Sequence, residues 1–148
     1  MKIYQRIALA TILLACTHRS TAQKINAKKV PEIVKYAYQI KFPTGQNPKW
    51  EKDNGNFEVN FVWNATPFSS VFDPKGNWME TETVIAKKIL PPAVKATLRR
   101  DFKDYTIIKA EEADFKGKGI IFETVLKYGK HQKEVHFAQN GKVLPIKD

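Results

Sequence analysis

One cysteine, Cys16, occurs in the 148 residues, which excludes a disulfide framework and any multi-cysteine zinc or iron–sulfur site. The three histidines are not spaced as a catalytic metal pair. Gly-x-Ser-x-Gly, His-Glu-x-x-His, a phosphate-binding glycine loop and Gly-x-Gly-x-x-Gly are all missing. Nothing therefore marks the chain as an enzyme, and no catalytic residue, cofactor or metal is called for. The apolar run Ile7–Ala15 falls well short of the roughly 20 residues that a membrane-spanning helix needs. Acidic residues are scarce, 15 against 25 Lys and Arg, for a net charge of +10. The excess is spread as single lysines and short pairs with acids nearby, which describes a solvated basic surface and not a nucleic-acid groove. What is abundant is hydrophobic and aromatic residues, 43% and 11%, enough for a core in one domain or two small ones.

The first 22 residues stand apart. Lys2 and Arg6 precede the apolar run, and a polar stretch then leads to Ala22. Basic, apolar and small in that order is a secretory signal peptide, so the protein is expected in the periplasm or outside the cell. Cleavage after Ala22 removes Lys2, Arg6 and Arg19. The alternative is that Leu13 to Cys16 acts as a lipobox and Cys16 is acylated, anchoring a lipoprotein. Residues 23–29 read as a short linker.

The remainder is written twice. Val30, Pro31, Val34 and Lys35 recur as Leu90, Pro91, Val94 and Lys95, and Phe42 recurs as Phe102. Lys49, Trp50 and Glu51 correspond to Lys109, Ala110 and Glu111. After a five-residue insertion around Lys116–Gly119, Phe57 and Glu58 fall on Phe122 and Glu123, and Gly76 on Gly141. The repeats are placed at residues 30–85 and 86–148.

Each repeat opens with a helix carrying Pro in its first turn, where a missing N–H costs nothing. Ile33, Val34, Ala37, Tyr38 and Lys41 keep helical spacing, as do Ala93, Val94, Thr97 and Leu98. Turn residues then divide four strands, expected near 47–53, 56–63, 67–73 and 77–84, and again near 105–113, 118–126, 131–138 and 141–146. Connections this short join antiparallel neighbours. The fold class is α+β, two tandem helix-plus-four-stranded meanders.

Alternation assigns faces. Phe57, Val59, Phe61 and Trp63 take the core side of one strand, and Ile120, Phe122, Thr124 and Leu126 that of its counterpart. The opposite side carries Glu58, Asn60 and Val62, then Ile121, Glu123 and Val125, with Glu134 and His136 on the next strand. Helices cover only one side, so this second face is open to a partner.

These residues resemble the PepSY-like, beta-lactamase-inhibitor-like family of exported bacterial proteins. The resemblance is carried by Val30, Pro31, Phe42, Trp50, Phe57, Val71, Phe72, Gly76 and Trp78, and recurs in Leu90, Pro91, Val94, Phe137 and Gly141. It implies two units side by side in one curved eight-stranded sheet with helices on one face. The inhibitor that gives the family its name grips an enzyme with the concave face, although no inhibitory motif carries over to this chain.

The candidate site is thus the open face: Glu58, Asn60, Val62, Ile121, Glu123, Val125, Glu134 and His136. Trp50 and Trp78 are possible anchors beside it. Glu80 and Glu82 project together from one strand and read as a solvated edge. His131 and His136 point to opposite sides of their strand and cannot share a metal there, and Asp73–Asn77 reads as a hairpin turn with too few oxygens for calcium. The expected function is a non-enzymatic exported module binding an envelope protein or peptide, inhibitor-like in manner. The alternative is an envelope ligand or stress-response protein that collects anionic lipid, polysaccharide or metal through its basic surface.

Overall fold

The computed structural model describes residues 23–145, so the signal-peptide reading and Cys16 lie outside the described residues. Two helices, α1 (Glu32–Lys41) and α2 (Pro92–Asp101), lie on one face of an open, curved antiparallel sheet. Its strands are β1 (Gln23–Ile25), β2 (Gln46–Asp53), β3 (Asn56–Trp63), β4 (Thr66–Phe72), β5 (Trp78–Val84), β6 (Thr106–Phe115), β7 (Gly119–Tyr128), β8 (His131–Ala138) and β9 (Val143–Leu144). They pair in chain order from β1 to β9. Among the described residues the sheet has nine strands and not the expected eight, because part of the supposed linker pairs with β2 through Gln23, Lys24 and Ile25. Three residues are too few to show an alternation of their own. No helix among the described residues is long and apolar enough to cross a membrane.

The order of single 3₁₀ turn, helix and four strands occurs twice. The two halves join where β5 pairs β6, Glu82 opposite Ala113 and Val84 opposite Glu111. Beneath α1 the core is aromatic: Tyr38, Phe42, Trp50, Phe57, Phe61 and Phe72 pack with Val34 and Val59. Beneath α2 it is mostly aliphatic, with Leu90, Val94, Leu98 and Leu126 around Phe122 and Phe137. Two expected core positions differ. Ile33 is exposed on α1, and Ile120, the second residue of β7, is exposed as well.

Each half pins a turn to the start of its helix in the same way. Gly76 and Gly141 both have left-handed φ, +80° and +81°. A Cβ on Gly76 would approach the Ile33 carbonyl oxygen to 2.9 Å, and one on Gly141 would meet the Ala93 backbone and, at 3.0 Å, Thr97 Oγ1. Only glycine satisfies both demands. In the first turn Asp73 is fully engaged: its carboxylate accepts from the backbone N–H of Lys75 and Asn77 and from the Asn77 side chain, at 2.8–2.9 Å. These bonds hold its pKa below the usual carboxylate value, the Asn77 side chain first among them.

Candidate functional site

The side of the sheet away from the helices is acidic. Register and alternation place Glu51 of β2 opposite Glu58 of β3, and Glu58 opposite Val71 of β4, which in turn faces Glu80 of β5. One pleat further along, Asn60, Ser69 and Glu82 align. Beyond the junction, Glu111 of β6 faces Glu123 of β7, and Glu123 faces His136 of β8. Like charges directly opposite in a sheet are destabilising, yet this basic protein sets two such pairs on one face.

Their surroundings differ. Glu58 accepts hydrogen bonds from Ser69 Oγ at 2.8 Å and Asn60 Nδ2 at 3.3 Å. The Glu123 side chain is only 10% exposed and its carboxylate lies 3.6 Å from His136 Nε2, which is hydrogen-bonded to Glu134. Burial, then the nearby Glu134, Glu111 and Glu80 carboxylates, push Glu123 up to about 7, against a smaller opposing pull from Lys109. Burial and the adjoining Glu123, Glu80, Glu111 and Glu58 push Glu82 up to about 8. Glu80 is raised as well, chiefly by burial and then by Glu58. Lys109 offsets part of the charge through an ion pair with Glu111 at 2.7 Å.

Among the described residues, two groups bring carboxylate or imidazole ligand atoms within 4.8 Å of one another: Glu123, Glu134 and His136, and Glu82, Glu111 and Glu123. These are the residues able to share a proton, a cationic side chain or a cation. Beside them an apolar dimple of about 190 Å³ is lined by Phe115, Lys118, Ile121, His136, Leu144 and Pro145.

Of the residues singled out from sequence, Glu58, Asn60 and Val62 share this face on β3, Ile121, Glu123 and Val125 on β7, and Glu134 and His136 on β8. Ile121 and Glu123 are buried, and the His136 side chain is only 15% exposed. Trp50 and Trp78 are not anchors here. Trp50 is buried in the core under α1, and Trp78 packs against the same core with Lys41 Nζ 3.7 Å above its ring. Glu80 and Glu82 are not on an edge, because β5 is paired on both sides. Sequence reasoning missed Glu111 and Glu82 as members of the cluster. The repeat offers a signal for Glu111, the counterpart of Glu51. Glu82 has none, since its neighbours come only from the pairing of β5 with β6.

A profile of the family described as "Putative beta-lactamase-inhibitor-like, PepSY-like" matches residues 62–145, more than half of the chain. The chain belongs to this PepSY-like family. Solved structures share the fold. A DUF2874 family protein from Bacteroides uniformis superposes with TM-score 0.73 at 18% identity, over 78% of this chain and 86% of that one. A protein from Bacteroides eggerthii described as "putative periplasmic" gives 0.73 at 21%, with the same coverage. A BLIP-like protein from Bacteroides fragilis gives 0.70 at 21%, over 80% and 85%. Among curated proteins, none matches the chain significantly.

Proposed function

We propose that this PepSY-like chain is an exported binding module that holds a basic protein or peptide segment on the open face of its sheet. The observation that carries the reading is the pair of acid-on-acid cross-strand contacts, Glu51 with Glu58 and Glu111 with Glu123, in a protein of net charge +10. Sequences depart from local rules chiefly at functional sites, and a cationic partner relieves this repulsion. The dimple by Ile121 and Leu144 adds a seat for one apolar side chain next to the carboxylates. Export is supported by the signal-like first 22 residues and by the "putative periplasmic" relative. Placed in an enzyme's cleft, the same face would make the protein an inhibitor, in the manner of the family's namesake.

The test is calorimetry with peptides that pair Lys or Arg with an apolar residue. Binding at pH 7 is expected to release protons, because a cation beside Glu123 and Glu82 pulls down carboxyl groups raised to about 7 and about 8. Replacing Glu111 and Glu123 together by Gln should weaken binding by roughly tenfold or more, about 1.4 kcal/mol. Val62→Lys with Val125→Lys, which sets two positive charges on the face, should abolish it while the fold is kept. Undiminished binding by folded forms of both double variants would remove the open face as the site.

A further inference from the structure

The helix-covered side holds a second candidate site, independent of the acidic face. Between the end of α2 and strands β6 and β7 lies a hollow of about 380 Å³. This is in the range of small-molecule sites, about 300–1,000 Å³. Its floor is apolar: Leu98, Phe102, Tyr105, Ile107 and Leu126, with Leu98 and Leu126 themselves core side chains. Its rim is cationic: Lys87, Lys88, Lys95, Arg99 and Lys103. No acidic side chain lines it among the described residues. Lys133 stands close by, with its ammonium 4.5 Å from the Phe102 ring centre and 4.3 Å from that of Tyr105. Lys95 Nζ donates to the Lys88 carbonyl at 3.1 Å, which ties two of the rim residues together.

The first half shows how such a space is closed. The counterparts of Leu98 and Leu126 are Tyr38 and Phe61, whose rings meet edge-on at 5.2 Å inside a cluster with Phe42 and Trp50. Leucines in both places leave the second half under-filled at the same point of the same architecture. A hollow with a greasy floor and an all-positive rim is complementary to one class of molecule. We propose that it binds a single-chain anionic amphiphile, a long-chain fatty acid, with the alkyl tail on Leu98, Phe102 and Leu126 and the carboxylate among the rim cations. The tail supplies affinity by leaving water. The rim selects the charged head and is sensitive to salt, because exposed charges are screened within about 8–10 Å at moderate ionic strength.

The experiment is titration of the purified protein with saturated fatty acids of increasing length, below their micelle concentrations, followed by calorimetry. Each added methylene should strengthen binding about fourfold until the hollow is full, after which the gain stops. The methyl ester of the best acid should bind at least tenfold more weakly, and Arg99→Gln with Lys103→Gln should abolish that preference. Leu98→Tyr with Leu126→Phe, and Tyr105→Gly to copy the Gly45 that makes room for Tyr38, rebuilds the filling of the first half and should block binding. Where that variant fails to fold, Leu98→Phe alone is expected to shorten the longest chain accepted. No binding of any free acid, or equal binding by a folded filled variant, overturns the proposal. So does binding to anionic phosphatidylglycerol vesicles without binding to monomeric acid, which would make the patch a membrane-surface contact.

Discussion

The two halves share an order of elements and differ in what fills them. Position for position, Tyr38, Trp50 and Phe61 under α1 become Leu98, Ala110 and Leu126 under α2, while Phe42, Phe57 and Phe72 remain Phe102, Phe122 and Phe137. The shared phenylalanines and the glycine turns that dock on each helix are what the architecture requires. The aromatic residues found only in the first half make its core dense, and their loss in the second leaves the rimmed hollow. The open face diverges in the same way. Glu58 and Glu123 are counterparts, but Ser69 and Asn60 hydrogen-bond the first, whereas their counterparts Glu134 and Val125 give the second an additional negative charge and neither of those two donors. A repeated frame thus carries two different surfaces, one whose central carboxylate is hydrogen-bonded and one whose central carboxylate is crowded by others.

The largest test of this comparison is to give the first half the second half's residue. Trp50→Ala, which copies Ala110, is expected to cost about 3–5 kcal/mol in denaturant unfolding, since a buried aromatic leaves a cavity. A loss below about 1 kcal/mol would mean that the aromatic core is not what holds the first half. Next in size come the matched turns. Gly76→Ala and Gly141→Ala should each cost about 1–3 kcal/mol, because a side chain there is strained and meets the helix backbone. Similar losses at the two positions would confirm equivalent docking, and a large asymmetry would break it.

The smallest effect concerns pH. Glu82 has a folded-state value of about 8 against an ordinary 4.5, so folding favours its protonated form. Its contribution is complete below pH 4.5 and is lost as pH rises through about 8, where the folded chain must hold an ionised carboxylate among others. Thermal unfolding followed from pH 4.5 to 9 should therefore show a decline that Glu82→Gln flattens, whereas Glu58→Gln, which removes only the last of the neighbours that raise Glu82, should change the slope less.

Most of the strand order could be read from local chemistry. Turn residues such as Asn54-Gly55 and Gly129-Lys130 bound segments whose alternation is plain, and the observed strands follow the expected spans closely except at β9, which is only Val143–Leu144 where 141–146 is expected. β1 was illegible because Gln23–Ile25 becomes a strand only by pairing with β2. The tryptophans were misplaced at Trp50 and Trp78 for a related reason. β2 has too few apolar residues to set its own parity, and β5 enters its pairing through an irregularity between Val71 and Phe72 that shifts Trp78 to the helix side. Half of the candidate site was visible as polar alternates on β3, β7 and β8. The carboxylates of β5 and β6 that complete it were not, since the closeness of Glu82 to Glu111 and Glu123 depends on a junction between halves.

Hydrophobic period, turn chemistry and the internal repeat are local or pairwise properties of the chain, and by themselves they determined the two helices, the meanders and the core-facing side of β3, β7 and β8. Which carboxylates crowd together, and where leucine in place of tyrosine or phenylalanine opens a hollow, was decided only by the tertiary structure. Electrostatic repulsion and unfilled volume depend on distances between strands and layers, and those distances exist only once the sheet has closed its ladder from β1 to β9.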